Sequence, residues 1–253
     1  RELAHRRIRI AEVTTEQPSP FASSLLFNYT GAFMYEGDSP LAEKRAAALA
    51  LDPALLAKLL GTVELRELLD TEIIAEVHAQ LQRTTPERQA RTTEEVADLL
   101  RVLGPIPLDE LGAHATVPLN ALDVLGARIM RVRINGREHL AQALDAPLLR
   151  DGLGIPVPPG IPAQQATITD AVDQLVSRWA RTRGPFIARD VQEAFCLSAA
   201  VAHSTLNGLD SILAGHYRQG IEEQEYCAAE VLKVIRSRSL AAARAATQPV
   251  SPA

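Results

Sequence analysis

Apolar residues at Phe21, Leu25, Leu26, Tyr29 and Phe33 recur at the spacing of one broad helical face, which predicts a helix over Phe21–Tyr35. Ahead of it, Ile8, Ile10 and Val13 punctuate the polar run Arg7–Thr15 in a strand-like way, and Pro18 and Pro20 stop that run. Gly37 ends the first helix. Asp38-Ser39-Pro40, with Glu43 behind it, supplies a cap, a first-turn proline and an early acid for a second, and Asp52-Pro53 restarts the chain for a third. Short helices in such close order have little to bury against except one another, so Phe21, Leu25, Phe33, Leu41 and Leu55 are expected to share a core.

Past Gly61 the texture changes. Asp70 caps a helix reaching about Arg83, and Thr84–Glu87 reads as a turn. Thr92-Thr93-Glu94-Glu95 caps Val96–Leu103, Gly104-Pro105 stops it, and Leu108–Leu111 and Val117–Leu125 read as a second and a third helix. Ile129–Ile134 and Arg137–Leu144 then read as strands joined by Asn135-Gly136, a dipeptide suited to a two-residue turn because both positions accept a positive φ. Three helices followed by a hairpin is a winged-helix order. Asp145–Gly152 predicts a short helix and Gly154–Pro162 a stiff linker, after which the order repeats. Asp170–Arg183, Ala188–Phe195 and Ala199–Leu213 are the helices, Gly215–Tyr226 is a poorer wing, and Cys227–Ala246 closes the chain with Val231, Leu232, Ile235 and Leu240 on one face. The segments VADLLRVLGPIPLDEL (96–111) and VSRWARTRGPFIARDV (176–191) share one texture of helix, Gly-Pro stop, apolar pair and short helix. The predicted fold class is therefore mainly α with small β-hairpins: a helical accessory block followed by two winged-helix-like units. The expected boundaries are 1–91 for the accessory block, a strand plus helices, and 92–153 for the first winged-helix unit. A linker follows over 154–166, and the second unit with its closing helix occupies 167–253.

The string FMYEGDSPLAEKRAAALALDPALL (33–56), followed by ELRELLD (64–70), PERQAR (86–91), VADLLRVLGP (96–105), PVPPGIP (156–162) and ARTRGPF (180–186), resembles the large helicase-related (Lhr) family of superfamily 2 DNA helicases. The segment it resembles lies downstream of that family's two ATP-binding motor domains, with 1–91 closing the helicase core's accessory domain. By this resemblance the chain is an accessory part of an ATP-dependent enzyme that translocates 3′-to-5′ on single-stranded DNA and unwinds DNA or RNA–DNA duplexes in DNA repair. Its partners would be DNA or an RNA–DNA hybrid and the motor domains of the same polypeptide. ATP and Mg²⁺ would serve that motor and not this region. The sequence departs from the family pattern at Tyr226, where tryptophan is common, and in its shortened second wing.

Composition narrows the chemistry. The chain lacks an initiator methionine and begins inside a strand-like run, so it reads as a fragment of something longer. With no 18-residue apolar run and no signal peptide, it is expected to be a soluble cytoplasmic protein with no membrane partner. Two cysteines, Cys196 and Cys227, cannot build a disulfide framework and are expected as buried thiols. No G-x-x-x-x-G-K-[ST] loop is present, so no ATPase chemistry is expected here, and Gly152-Leu153-Gly154 precedes a Pro-rich linker where a dinucleotide fingerprint would need a helix. The histidines show no i, i+4 pair, which argues against zinc. Glu222, Glu223 and Glu225 are expected to face water, and Trp179 sits at core spacing with Leu175 and Val176.

A formal charge of −5 excludes a surface that is basic throughout, so any contact with nucleic acid must be local. Arginine clusters at Arg6, Arg7 and Arg9, around Arg128–Arg137, and near the end with Lys233, Arg236, Arg238 and Arg244. The middle cluster is the best candidate. The two-residue period of IMRVRI puts Arg131 and Arg133 on one face while Met130, Val132 and Ile134 take the other, and Arg128 and Arg137 flank the hairpin. Asn120 and His203, in the third helices of the two units, complete the DNA-contact candidates. Two rivals remain open: a winged-helix module for protein interaction or homo-oligomerisation, and a part of a winged-helix base-excision region of the DNA glycosylase type.

Overall fold

The computed structural model describes residues 69–161 and 166–246. The strand and helices expected between Arg7 and Gly61, the shared core of Phe21, Leu25, Phe33, Leu41 and Leu55, and the arginines Arg6, Arg7 and Arg9 lie outside those residues. Helix α1 spans Thr71–Leu81 and is capped by the Asp70 carboxylate, which accepts from the Glu72 and Ile73 backbone N–H groups. In the first unit α2 (Thr93–Leu103) is capped by the Thr92 hydroxyl and followed by strand β1 (Ile106–Pro107), then by the one-turn helix α3 (Leu111–His114). Next comes a 3₁₀ stretch over Leu119–Arg128, and β2 (Ile129–Ile134) and β3 (Arg137–Gln142) close the unit. Its sheet has the order β1-β3-β2. Helix α4 (Ala146–Leu153) leads out of it.

The second unit repeats this plan with α5 (Ala171–Arg181), β4 (Phe186–Ile187), α6 (Ala188–Phe195), α7 (Ala199–Gly208), β5 (Ile212–Gly215) and β6 (Glu225–Ala228). Its sheet order, β4-β6-β5, is the same permutation. The long α8 (Ala229–Ala246) ends the described chain. The Gly-Pro texture shared by 96–111 and 176–191 thus corresponds to one structural step used twice: a helix stops, a two-residue strand joins the sheet edge, and the next helix starts.

Several expectations are corrected. The second helix of the first unit lies at Leu111–His114 and not at Leu108–Leu111. The third helix of the first unit is two 3₁₀ turns broken at Gly126, whose φ of 50° and ψ of −126° are not helical. The third helix of the second unit ends at Gly208, not Leu213, because Ile212–Gly215 pairs with Glu225–Ala228 as a strand. The last helix begins at Ala229 for the same reason. Cys196 is exposed in a left-handed helix cap, whereas Cys227 is buried and its thiol is pushed up to about 12 by burial.

Two apolar cores result. The smaller fills the first unit with Val96, Leu99, Leu100, Leu103, Leu111, Leu122 and Leu140. The larger runs from α1 (Ile74, Val77) through the β2 residues Met130, Val132 and Ile134 to Trp179, Phe186, Phe195, Tyr226 and Ile235 of the second unit. One apolar core shared by the two units joins them into a single body. Polar ties reinforce the junction. The Arg178 guanidinium forks onto the buried Asp145 carboxylate at 2.8 and 3.0 Å, and Gln82 donates to the Thr182 carbonyl at 2.6 Å. Helix α1 is clamped to α8 as well, the Asp70 N–H donating to Ser239 Oγ at 3.1 Å.

Candidate nucleic-acid interface

Hairpin β2–β3 is the wing of the first unit, and its register decides what each face can do. Arg131 lies opposite Leu140 and Arg133 opposite Glu138, whereas Met130 faces Ala141 and Val132 faces His139 across the ladder. On the back of the sheet Met130, Val132, Ile134, His139 and Ala141 are all buried, against the second unit. Toward its base the front face sends Leu140 and Ile129 into the first unit's own core, and farther out it presents Arg131 and Arg133 to solvent. The turn is of the expected kind, with φ of 48° at Asn135 and 75° at Gly136, and the Asn135 side-chain amide donates to the Glu193 carbonyl of α6 at 3.0 Å. The wing is therefore not a free arm: its tip and its back are held by the second unit.

The sequence candidates separate. Arg131 and Arg133 stand side by side on β2, and Arg131 makes only a loose 3.7 Å contact with Glu138. Arg128 is bound bidentately by Glu94 at 2.6 and 2.8 Å, which holds the Glu94 carboxyl below the usual carboxylate range. Arg137 is bound by Asp109 at 2.7 Å and Glu110 at 2.8 Å. Those two cations are already engaged by acids from α2 and from the turn after β1. Asn120 is exposed on the 3₁₀ stretch, beside Leu119, Asp123 and Val124. His203 is exposed on α7, with Nδ1 3.4 Å from the Tyr226 hydroxyl.

The third helix of a winged-helix unit usually enters a groove, and here neither one is built for phosphate. The 3₁₀ stretch of the first unit carries only Arg128, which is ion-paired, and α7 carries no lysine or arginine at all. Helix α7 exposes Ala199, Ala200, Val201, His203, Ser204 and Asn207. The second wing is closed on itself. Glu225, expected to face water with Glu222 and Glu223, is completely buried. It accepts from the Tyr217 and Arg218 backbone N–H groups at 2.6 and 2.8 Å and pairs with the Arg218 guanidinium. The return of the loop at Tyr217 and Arg218 onto the first residue of β6 encloses this one acid of the three.

At the back of the wing, two histidines of the junction are held below the usual histidine range. His78 accepts from the Gly184 N–H at 3.2 Å, and its pKa is lowered by burial first, then by the charges of Arg183 and Arg218. Burial likewise lowers that of His139. A histidine whose folded pKa lies below its unfolded value takes up its proton more readily when unfolded, so stability is full above about pH 6.5 and falls as the pH drops below it. We expect thermal melts of the chain to shift down between pH 7.5 and 5.5, and the shift to shrink in His78→Gln. An undiminished shift in that variant would assign the effect elsewhere.

Comparison with known proteins agrees with this architecture. Residues 67–168 match the family model described as the winged-helix domain of the large helicase-related protein. The chain is 50% identical over 258 residues to a Mycolicibacterium smegmatis protein named "Lhr helicase/ probable uracil glycosylase", an alignment covering 99% of the chain and 17% of that protein. It is 39% identical over 259 residues to the "Lhr helicase/uracil glycosylase" of Escherichia coli K12, again over 99% of the chain and 17% of the relative. The chain thus spans 17% of the length of each of these relatives. Aligned over 99% of its length with these relatives and carrying that winged-helix domain, the chain corresponds to a region of the large helicase-related (Lhr) family of helicases.

Proposed function

We propose that this region is the accessory, nucleic-acid-contacting part of an Lhr-type helicase, and that the front of the first wing is its contact surface. The carrying observation is the pair Arg131 and Arg133, exposed side by side on a strand whose back is fixed in the protein core. Phosphate contact by two such side chains costs little ordering of the backbone, because the wing is already rigid. With Glu94 engaging Arg128, Asp109 and Glu110 engaging Arg137, and Glu138 lying beside Arg131, the surface suits a local, sequence-independent hold on one strand and not the capture of a whole duplex. The ATP-driven 3′-to-5′ motor, with its ATP and Mg²⁺, would reside elsewhere in the parent polypeptide, working on DNA or RNA–DNA duplexes in repair in the cytoplasm. Among the described residues no helix is long and apolar enough to cross a membrane. The uracil glycosylase in the relatives' names would likewise be an activity of the parent.

Changing Arg131 and Arg133 together to alanine tests this reading. Single-strand affinity should fall about equally for unrelated sequences, and the slope of log K against log salt should shrink by roughly one for each phosphate no longer neutralised. Melting should hardly move, since both side chains are exposed. Unchanged affinity would overturn the proposal.

A specific observation supports a second role beside the first. The back of the wing is an extensive protein contact, so the hairpin also serves as an interaction element, within this chain, between the two units.

A further inference from the structure

A polar cleft of about 640 Å³ lies between the two units, behind the wing, in the size range of sites for small ligands. Its floor is organised around Arg183. The Arg183 Nε donates to the Trp179 carbonyl at 3.0 Å, and the guanidinium carbon lies 3.3 Å from the centroid of the Trp179 ring. Those two contacts fix the plane of the guanidinium. Its terminal amino groups have no acceptor among the described residues, and no carboxylate stands within ion-pair distance; Asp190 and Glu110 act on it only at longer range. Enclosure is deep enough for burial to pull its pKa down to about 9. At the corresponding step of the first unit stands Leu103, a core residue, so the shared plan does not require a cation at this position.

The other polar groups around Arg183 give the cleft a definite hydrogen-bonding character. Because the Gly184 N–H donates to His78 Nδ1, the His78 proton sits on Nε2 as a further donor. His114 and His139 commit Nδ1–H to the Gln82 and Arg137 carbonyls at 2.6 and 3.0 Å, and Nε2 of His139, whose pKa burial lowers, is left as an acceptor. Arg137 and Arg218 also line the space but are already paired, the first with Asp109 and Glu110 and the second with Glu225, while Asp190 and Glu193 add carboxylates that repel a run of phosphates. One anionic group is thus wanted at Arg183 and His78, and neutral hydroxyl or amino donors are wanted around it. We propose that this cleft binds a nucleoside monophosphate unit, its phosphate on the free fork of Arg183 and its sugar hydroxyls or base amino group toward the histidine and carboxylate acceptors. The unit comes either as a free nucleotide or as the phosphorylated end of a strand. The site is separate from the wing front and stands or falls independently of it.

The test is a titration of the wild-type chain observed at the Arg183 Nε–H resonance, using inorganic phosphate, adenosine monophosphate and two oligonucleotides that differ only in a 5′-phosphate. Saturable shifts with the monophosphate, at least about tenfold tighter than with inorganic phosphate, are expected from the added hydrogen bonds. Binding of the phosphorylated oligonucleotide in preference to its unphosphorylated twin would assign the site to strand ends, and binding of the free monophosphate alone would assign it to nucleotides. Arg183→Gln should weaken binding about tenfold or more. The absence of a saturable shift up to about 10 mM monophosphate, or equal binding by a folded Arg183→Gln chain, overturns the proposal. Should that variant fail to fold, the wild-type titration decides alone.

Discussion

Replacing Trp179 with alanine is expected to lower the unfolding free energy by about 3–5 kcal/mol, measured by urea titration. The ring is buried in the larger core, where it meets Phe186 edge-on at 4.9 Å and Phe195 at 6.1 Å, while Arg183 covers its face. Removing it opens a cavity at the junction of α5, β4 and α6 and strips Arg183 of the surface that orients it. Because that core also holds the back of the wing, the two units should loosen together in one transition. A loss below about 1 kcal/mol, or separate unfolding of the second unit, would show that the shared core does not couple them.

Removing the Glu225 carboxylate is expected to cost about as much, roughly 3–5 kcal/mol for Glu225→Ala, by the same measurement. The acid is fully buried, and its loss leaves the Arg218 guanidinium and the Tyr217 and Arg218 backbone N–H groups without their acceptor. Glu225→Gln retains the shape and one carbonyl acceptor and should lose less. Equal stability of the alanine variant would mean that the second wing does not depend on this anchor. Tyr217 ties the same loop to β5: its ring packs against Gly215, where a Cβ would come within 2.8 Å of it.

Local rules carried much of this architecture. The caps at Asp70 and Thr92, the Asn135-Gly136 turn and the alternation of Met130, Arg131, Val132, Arg133 and Ile134 are short-range signals, and the structure places each as its local chemistry requires. Core packing of Trp179 was legible from its spacing with Leu175 and Val176. Strands β1 and β4 were not, since two residues cannot display a period, and Ile212 and Leu213 read as the end of a helix because only the partner Glu225–Ala228 makes them strand.

The candidate interface divides in the same way. That Arg131 and Arg133 share a face follows from the period of two, but the engagement of Arg128 by Glu94 and of Arg137 by Asp109 joins residues far apart in the chain. Burial of the wing's other face against the second unit is likewise a tertiary fact. Glu225 was read with its neighbours Glu222 and Glu223 as solvated, and only the fold of the loop separates it from them. Arg183 sits in a helix end that looks like any basic C-terminus until the cleft in front of it is seen.

Nucleic acid is expected to meet this region at the front of the first wing and not at the third helices. Backbone amide resonances of the chain, followed while a short single-stranded DNA is added at low salt, test that claim most directly. Shifts concentrated at Arg131 and Arg133, fading as salt is raised and leaving Ala199–Gly208 unmoved, are the predicted result. Shifts centred on Ala199–Gly208, with β2 silent, would contradict it.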